Sequence, residues 1–288
     1  MKVLVAGSSG LIGTALVAGL TKSGYEVLKL QHGKNWDSEN KKLDPSIVEG
    51  VDLIINLAGE NIFGRWSVAK KEKILKSRVN STALLADTVV KLKVPPKLFI
   101  NASAIGYYGN RGNEILSESS LQGNDFLSDV CHQWETALIP AKNAGIRTIM
   151  MRTGVVLSPN GGALKNMLLP FKLGLGGVIG SGSQYMSWIA IDDVVAALLH
   201  CVEHEECEGA INFVAPDPVT NAKFTAMLGD VLHRPTFMPQ PVFLMRALFG
   251  EMVDALLLSS TRVEPQKLMR TGYQFLYPEL KNALKHLL

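Results

Sequence analysis

The chain has 288 residues, 47% of them apolar and 19% charged, and its 29 basic and 26 acidic side chains leave a formal net charge of +3. This suits a compact globule with a sizeable core, in one α/β unit or two unequal lobes. The small, dispersed charge argues against a nucleic-acid groove: Lys70, Lys71 and Lys73 are the densest basic cluster, and Glu72 interrupts it within a helical pattern.

The first apolar run, Val3-Leu4-Val5-Ala6, reads as a buried parallel strand. It ends in Gly7-Ser8-Ser9-Gly10-Leu11-Ile12-Gly13, three glycines spaced three apart, and Leu16, Val17 and Leu20 then repeat at helical spacing. Strand, glycine turn and helix together make a diphosphate cradle: glycine lets backbone approach the phosphates, and the new helix turns free N–H groups toward them. Gly7, Ser9, Gly10, Leu11, Ile12 and Gly13 are therefore the expected pyrophosphate contacts.

A second strand over 25–30 ends at Gln31-His32-Gly33-Lys34. An NAD site usually has an acid here, accepting from the ribose 2′-hydroxyl. Gln31, His32 and Lys34 instead offer donors to a 2′-phosphate, which favours NADP(H) over NAD(H). Val51-Asp52-Leu53-Ile54-Ile55-Asn56 is the next buried strand, and Leu57, Ala58 and Gly59 follow where an open parallel sheet binds ligands. A helix over 67–92 carries Arg78, positioned to reach back toward the cofactor, and Pro95-Pro96 stops it.

The strand 97–103 ends at Ser103, with Gly106-Tyr107-Tyr108-Gly109 just beyond. A hydroxyl and two phenols at a strand terminus, with glycines leaving room beside them, make Ser103, Tyr107 and Tyr108 the candidate catalytic residues. A helix over 125–144 and a strand over 147–152 come next, with Val156 leaving the sheet as a further cofactor contact. Glycine-rich runs at 161–162 and 174–182 flank a helix over 163–173 on the substrate side. Trp188 to Val194 is expected to start a helix with Asp192 as its N-cap. A strand over 210–215 and a helix over 222–232 lead to a Met- and Leu-rich helical tail, suited to packing against the main body or a second copy. The division expected is 1–160 with returning elements 187–215 as the dinucleotide-binding part, and 161–288 as the substrate side, including a C-terminal helical domain over 238–288.

Cys131, Cys201 and Cys207 contain no CxxC pair, which argues for a reducing compartment and against a disulfide framework or a metal site. With no basic leader and no bilayer-length apolar run, the expectation is a cytoplasmic protein with a small-molecule substrate and neither a membrane nor a nucleic-acid partner; a homodimer stays open.

The glycine triplet, Asn56-Leu57-Ala58-Gly59, Ser103 and Trp188-Ile189-Ala190-Ile191-Asp192-Asp193-Val194 together resemble the extended short-chain dehydrogenase/reductase superfamily. Ala58-Gly59-Glu60-Asn61, Ser77-Arg78-Val79, Gly106-Tyr107-Tyr108-Gly109, Leu168-Leu169-Pro170-Phe171 and Gly272-Tyr273-Gln274-Phe275 narrow the likeness to epimerase-family proteins related to the NAD-dependent epimerase/dehydratases. The resemblance implies an α/β Rossmann-type doubly wound parallel sheet, a smaller, mostly helical C-terminal region, and a bound dinucleotide. It also implies a proton relay of tyrosine and lysine four residues apart, and the offset from Ser103 puts these at Leu127 and Cys131, which cannot serve. Tyr-x-x-x-Lys recurs only by coincidence, at Tyr25/Lys29 and Tyr277/Lys281. Two functions remain. One is an atypical oxidoreductase or epimerase-like enzyme acting on a small carbonyl or hydroxyl compound, with Tyr107 or Tyr108 as relocated acid and His132 a weaker candidate. The other is a catalytically inactive NADP(H)-sensing protein.

Overall fold

Buried runs with no polar alternation belong to strands covered on both faces, and six of them form one sheet. A computed structural model describes residues 1–288. The strands are β1 (Lys2–Ala6), β2 (Glu26–Leu30), β3 (Leu53–Asn56), β4 (Leu98–Ala104), β5 (Arg147–Thr153) and β6 (Gly209–Phe213), in the order β6-β5-β4-β3-β1-β2. Every pairing in this sheet is parallel. Strand order reverses between β1 and β3, which opens a crevice at their carboxyl ends.

The helices are α1 (Leu11–Lys22), α2 (Val68–Val89), α3 (Phe126–Thr136), α4 (Gly162–Lys172), α5 (Ile191–Glu203), α6 (Asn221–Leu232), α7 (Val242–Phe249) and α8 (Leu280–Leu287). Period-two side chains divide β1 between two cores. Val3 and Val5 pack with Leu16 and Leu20 of α1 and Val194 and Leu198 of α5. Leu4 and Ala6 pack with Leu85, Ala86 and Val89 of α2. Full burial of each leucine contributes roughly 1.5–3 kcal/mol. A third core joins Leu164 and Leu168 of α4, Phe224 and Leu228 of α6, and Leu280 and Leu284 of α8 in the lobe over the crevice.

Three sequence expectations are corrected. The helix over 125–144 is two pieces: Asp125 caps α3 through Ser128 N, and a separate turn spans Ile139–Asn143. Pro140 explains the break: it has no N–H to donate to the carbonyl of Thr136, four residues back, and its ring crowds that carbonyl, so the first piece ends there and Pro140 sits in the first turn of the second. Trp188–Ala190 is a short strand rather than helix, paired in parallel with Val155–Leu157. Asp192 is not a cap: α5 begins after Ala190, and the Asp193 carboxylate accepts from the Tyr273 hydroxyl and the N–H groups of Leu276 and Tyr277. That buried carboxylate anchors the C-terminal segment to the main body.

Candidate functional site

The glycine turn after β1 is built from contacts no larger residue could make. Gly7 has φ +77°, and a Cβ there would lie 2.6 Å from the Leu57 carbonyl carbon and 2.8 Å from Ala58 N. A Cβ on Gly13 would overlap the Gly7 carbonyl oxygen and come within 2.8 Å of Ser8 Cα. Gly10 differs: its Cβ would meet only Gly7 O, at 3.5 Å, with open space otherwise. Gly10 also caps α1 with no side-chain hydrogen bond, so the first-turn N–H groups of Leu11, Ile12 and Gly13 face the crevice unmasked. Two tight glycines with one open between them are what a diphosphate cradle requires.

Other cofactor candidates converge here. Asn56 is buried, and its side chain bonds Asn101 Oδ1 at 2.8 Å and Thr82 Oγ1 at 3.0 Å while accepting from Ala58 N. This network fixes the Leu57-Ala58-Gly59 turn against Gly7. Arg78 lies beneath Gly59, its guanidinium carbon 3.2 Å from where a Cβ would stand. Burial lowers the Arg78 pKa, and the same guanidinium lies over the Trp134 ring. On the far lip, Cβ atoms on Gly161 and Gly162 would each lie 3.1 Å from Leu11, and Gly162 neighbours the Val156 carbonyl. Gln31 and His32 end β2, beside β1, and both are exposed. Asp37 lies near His32, but its carboxylate accepts from Glu39 N, Asn40 N and Asn40 Nδ2 within its own hairpin turn. No carboxylate takes the ribose position at the end of β2.

At the ends of β4 and β5 lies a cluster drawn from residues far apart in the chain. Ser103 Oγ donates to Glu135 Oε1 at 2.7 Å. Arg152, beside Ser103 on the neighbouring strand, grips both Glu135 oxygens at 2.8 Å. Both charges are buried, with side-chain exposures of 5% for Arg152 and 10% for Glu135. Burial alone would lower the arginine pKa, yet the Glu135 hydrogen bonds and charge hold it above its ordinary value. The Arg152 guanidinium also lies 3.4 Å from the Tyr107 ring centroid.

Tyr108 is wholly enclosed; its hydroxyl donates to Asn212 Oδ1 at 2.7 Å and accepts from Arg152 at 3.1 Å. Burial pushes its phenol up to about 12. It braces the strand ends and presents no proton to the crevice, which removes the physical basis for a relocated acid at Tyr108. Tyr107 is half-buried, and its ring meets that of Tyr108 edge-on. Leu127 and Cys131 of α3 pack against Gly106, and burial pushes the Cys131 thiol up to about 12. His132 is exposed on α3, away from this cluster. Of the coincidental pairs, Tyr277 stacks on His286 and Lys281 bonds Asp230, while Lys29 is exposed on β2.

With its proton held by Glu135, Ser103 Oγ presents lone pairs. In that rotamer it can accept from a hydroxyl; to donate to a carbonyl it would have to turn its proton away from Glu135. A charge in an otherwise apolar strand, as Arg152 is, signals a buried carboxylate partner. Sequence alone gives no reason to choose Glu135, seventeen residues away on another element.

Comparison with known proteins follows the same architecture. Residues 3–213 match the model of the NAD dependent epimerase/dehydratase family, and residues 240–287 match a domain of unknown function, DUF1731. Epimerase family protein SDR39U1 of Homo sapiens is 39% identical over 297 residues, covering 100% of this chain and 99% of that protein. An epimerase family protein of Mycobacterium tuberculosis is 42% identical over 290 residues, covering 98% and 96%. The crystal structure of human SDR39U1 (isoform 2) with NADPH is similar at a TM-score of 0.92 and 37% identity, covering 100% of this chain and 99% of that one. A Bacillus cereus UDP-glucuronic acid 4-epimerase in complex with NAD shares the fold, at a TM-score of 0.77 and 17% identity over 100% and 95%.

Proposed function

The chain belongs to the NAD dependent epimerase/dehydratase family, and on that premise we propose that it binds NADP(H) and acts as an atypical short-chain oxidoreductase on a small carbonyl or hydroxyl compound. The observation that carries this reading is the glycine turn at the carboxyl end of β1: two glycines locked against backbone with an open one between them, on the sheet edge where β4 carries Ser103. The human relative solved with NADPH and the donor set Gln31, His32 and Lys34 support NADP(H) over NAD(H).

In this reading the N–H groups of Leu11, Ile12 and Gly13 hold the diphosphate where Gly10 leaves room for it, Gln31 and His32 meet the 2′-phosphate, and Leu57, Ala58 and Gly59 line the ribose path. Arg78 and Val156 flank it. The bound nicotinamide supplies hydride exchange at a substrate carbon. Ser103 and Tyr107 meet the substrate oxygen, while Glu135, Arg152 and Tyr108 position Ser103 from behind. Anaerobic incubation with NADPH and a panel of carbonyl compounds, followed by loss of reduced-nicotinamide absorbance, tests this. Turnover that falls in Ser103→Ala and Tyr107→Phe while NADPH affinity holds supports it.

One observation favours a second reading. The expected relay positions hold Leu127 and Cys131, and Tyr108 is sealed away. A protein that binds NADP(H) as a signal without turning over substrate fits these residues. Tight NADPH binding with no turnover across the panel selects it.

A further inference from the structure

Two segments on the substrate side lack carboxylates entirely: residues 159–187 and residues 231–250 contain no Asp or Glu. The fold joins them. Gly177 bridges to Phe237 and Ile179 to Gln240, Arg234 Nε donates to the Lys172 carbonyl at 2.9 Å, and Gln240 Nε2 donates to the Leu175 carbonyl at 2.7 Å. Both joined segments expose large apolar side chains. Phe237 is 79% exposed, Phe243 71%, Leu248 67%, Leu169 67% and Leu173 65%. No residue of α7 is buried, although its sequence, VFLMRALF, is that of a core helix. Around this face Lys165, Lys172 and Arg234 bond only to backbone carbonyls or to nothing, and Arg246 alone has an acid, Asp254.

Large apolar side chains exposed together mark an interaction site, and the charge pattern selects the occupant. A twofold partner would set the same patch against itself, placing Lys172 and Arg234 opposite like charges with no carboxylate in either segment to offset them. An anionic lipid surface offers both complements, acyl chains for the apolar side chains and phosphates for the cations. The eight-residue α7 is too short to cross a bilayer and suited to lying in its interface, and no helix of the chain is long and apolar enough to cross a membrane. We propose that this face docks on an anionic membrane surface, with α7 seated at the lipid boundary and Lys165, Lys172 and Arg234 against lipid phosphates. Such docking departs from the expectation of no membrane partner, which rests on the lack of a bilayer-length apolar run.

Docking has a consequence for the crevice. Helix α4 begins against Leu11 of the glycine turn and ends at the docking face. At 1.5 Å per residue its eleven residues span about 16 Å, so the crevice lies no farther than about 16 Å from the docking face.

Flotation of the full chain with phosphatidylcholine vesicles, with and without phosphatidylglycerol, tests the proposal. The expected result is flotation with the anionic vesicles only, weakening as salt rises. Phe243→Ser with Leu248→Ser should lower vesicle partition about tenfold or more, and Lys172→Glu with Arg234→Glu should abolish the preference for anionic lipid. Unchanged NADPH titrations and melting curves in both variants show that the fold is intact. Failure to float with anionic vesicles overturns the proposal. So does a lipid-free dimer, seen by light scattering, that the Phe243/Leu248 variant dissociates, since that assigns the face to a second copy. NADPH binding is read separately, so loss of docking and loss of the proposed cofactor site are distinguishable.

Discussion

Replacing Gly10 and Gly13 separately by alanine should split the glycine turn into two roles. At Gly10 the backbone has φ −74° and ψ 174°, which alanine adopts freely, and the nearest heavy atom to the new methyl is Gly7 O at 3.5 Å. Stability should therefore stay within about 0.5 kcal/mol of the parent. The methyl stands where a diphosphate oxygen would approach the first-turn N–H groups. Loss of one hydrogen bond to a charged group removes about 1.5–3 kcal/mol, a fall of roughly 10- to 100-fold in NADPH affinity. At Gly13 the methyl would overlap the Gly7 carbonyl and press on Ser8 Cα at 2.8 Å, both rigid backbone. Overpacking against rigid backbone lies at the upper end of the usual range, about 3 kcal/mol, offset by about 1 kcal/mol of helix propensity, so a net loss of about 2 kcal/mol should lower melting by roughly 4–8 °C along with affinity. Fluorescence titration with NADPH and melting curves with and without it measure both effects. Parental NADPH affinity in Gly10→Ala would refute the cradle, whatever Gly13→Ala does.

Three further outcomes follow from the geometry. Glu135→Gln leaves Arg152 buried without its counter-charge; the loss should approach 3 kcal/mol, and an unchanged denaturation midpoint would mean the pair is not closed in solution. Gln31→Asp puts a carboxylate where a 2′-phosphate is expected, so titration should show NADP(H) affinity falling about tenfold while NAD(H) binding is kept or improved. The Tyr108 phenol titrates near 10 when unfolded and is pushed up to about 12 by burial in the fold. Its contribution is thus complete below about pH 10 and is lost as pH climbs to about 12, at about 1.4 kcal/mol per unit. Tyr108→Phe, which cannot ionise, should start less stable and close the gap in melting temperature across that window; a constant gap contradicts the burial.

The parts of the cofactor site that follow the chain closely were legible in the residues. Gly7, Gly10 and Gly13 are punctuation within a single turn, and Ser67 caps α2 where the helix was expected to begin. Asp192 and Pro140 show where local pattern misleads. Asp192 is a good cap residue that sits two positions past the cap at Ala190, and Pro140 interrupts a helical pattern whose apolar residues continue past it.

By itself the sequence determined the buried parallel strands, the helix that springs from the glycine turn, and the lack of an acid after β2, because each depends on backbone preference or on residues a few positions apart. Only the tertiary structure decided that Ser103 gives its proton to Glu135, that Tyr108 is sealed, and that α7, composed like a core helix, lies bare. Those outcomes depend on which surfaces meet across the fold, and a side chain's partner or exposure is set by elements far away in the chain, which no local periodicity encodes.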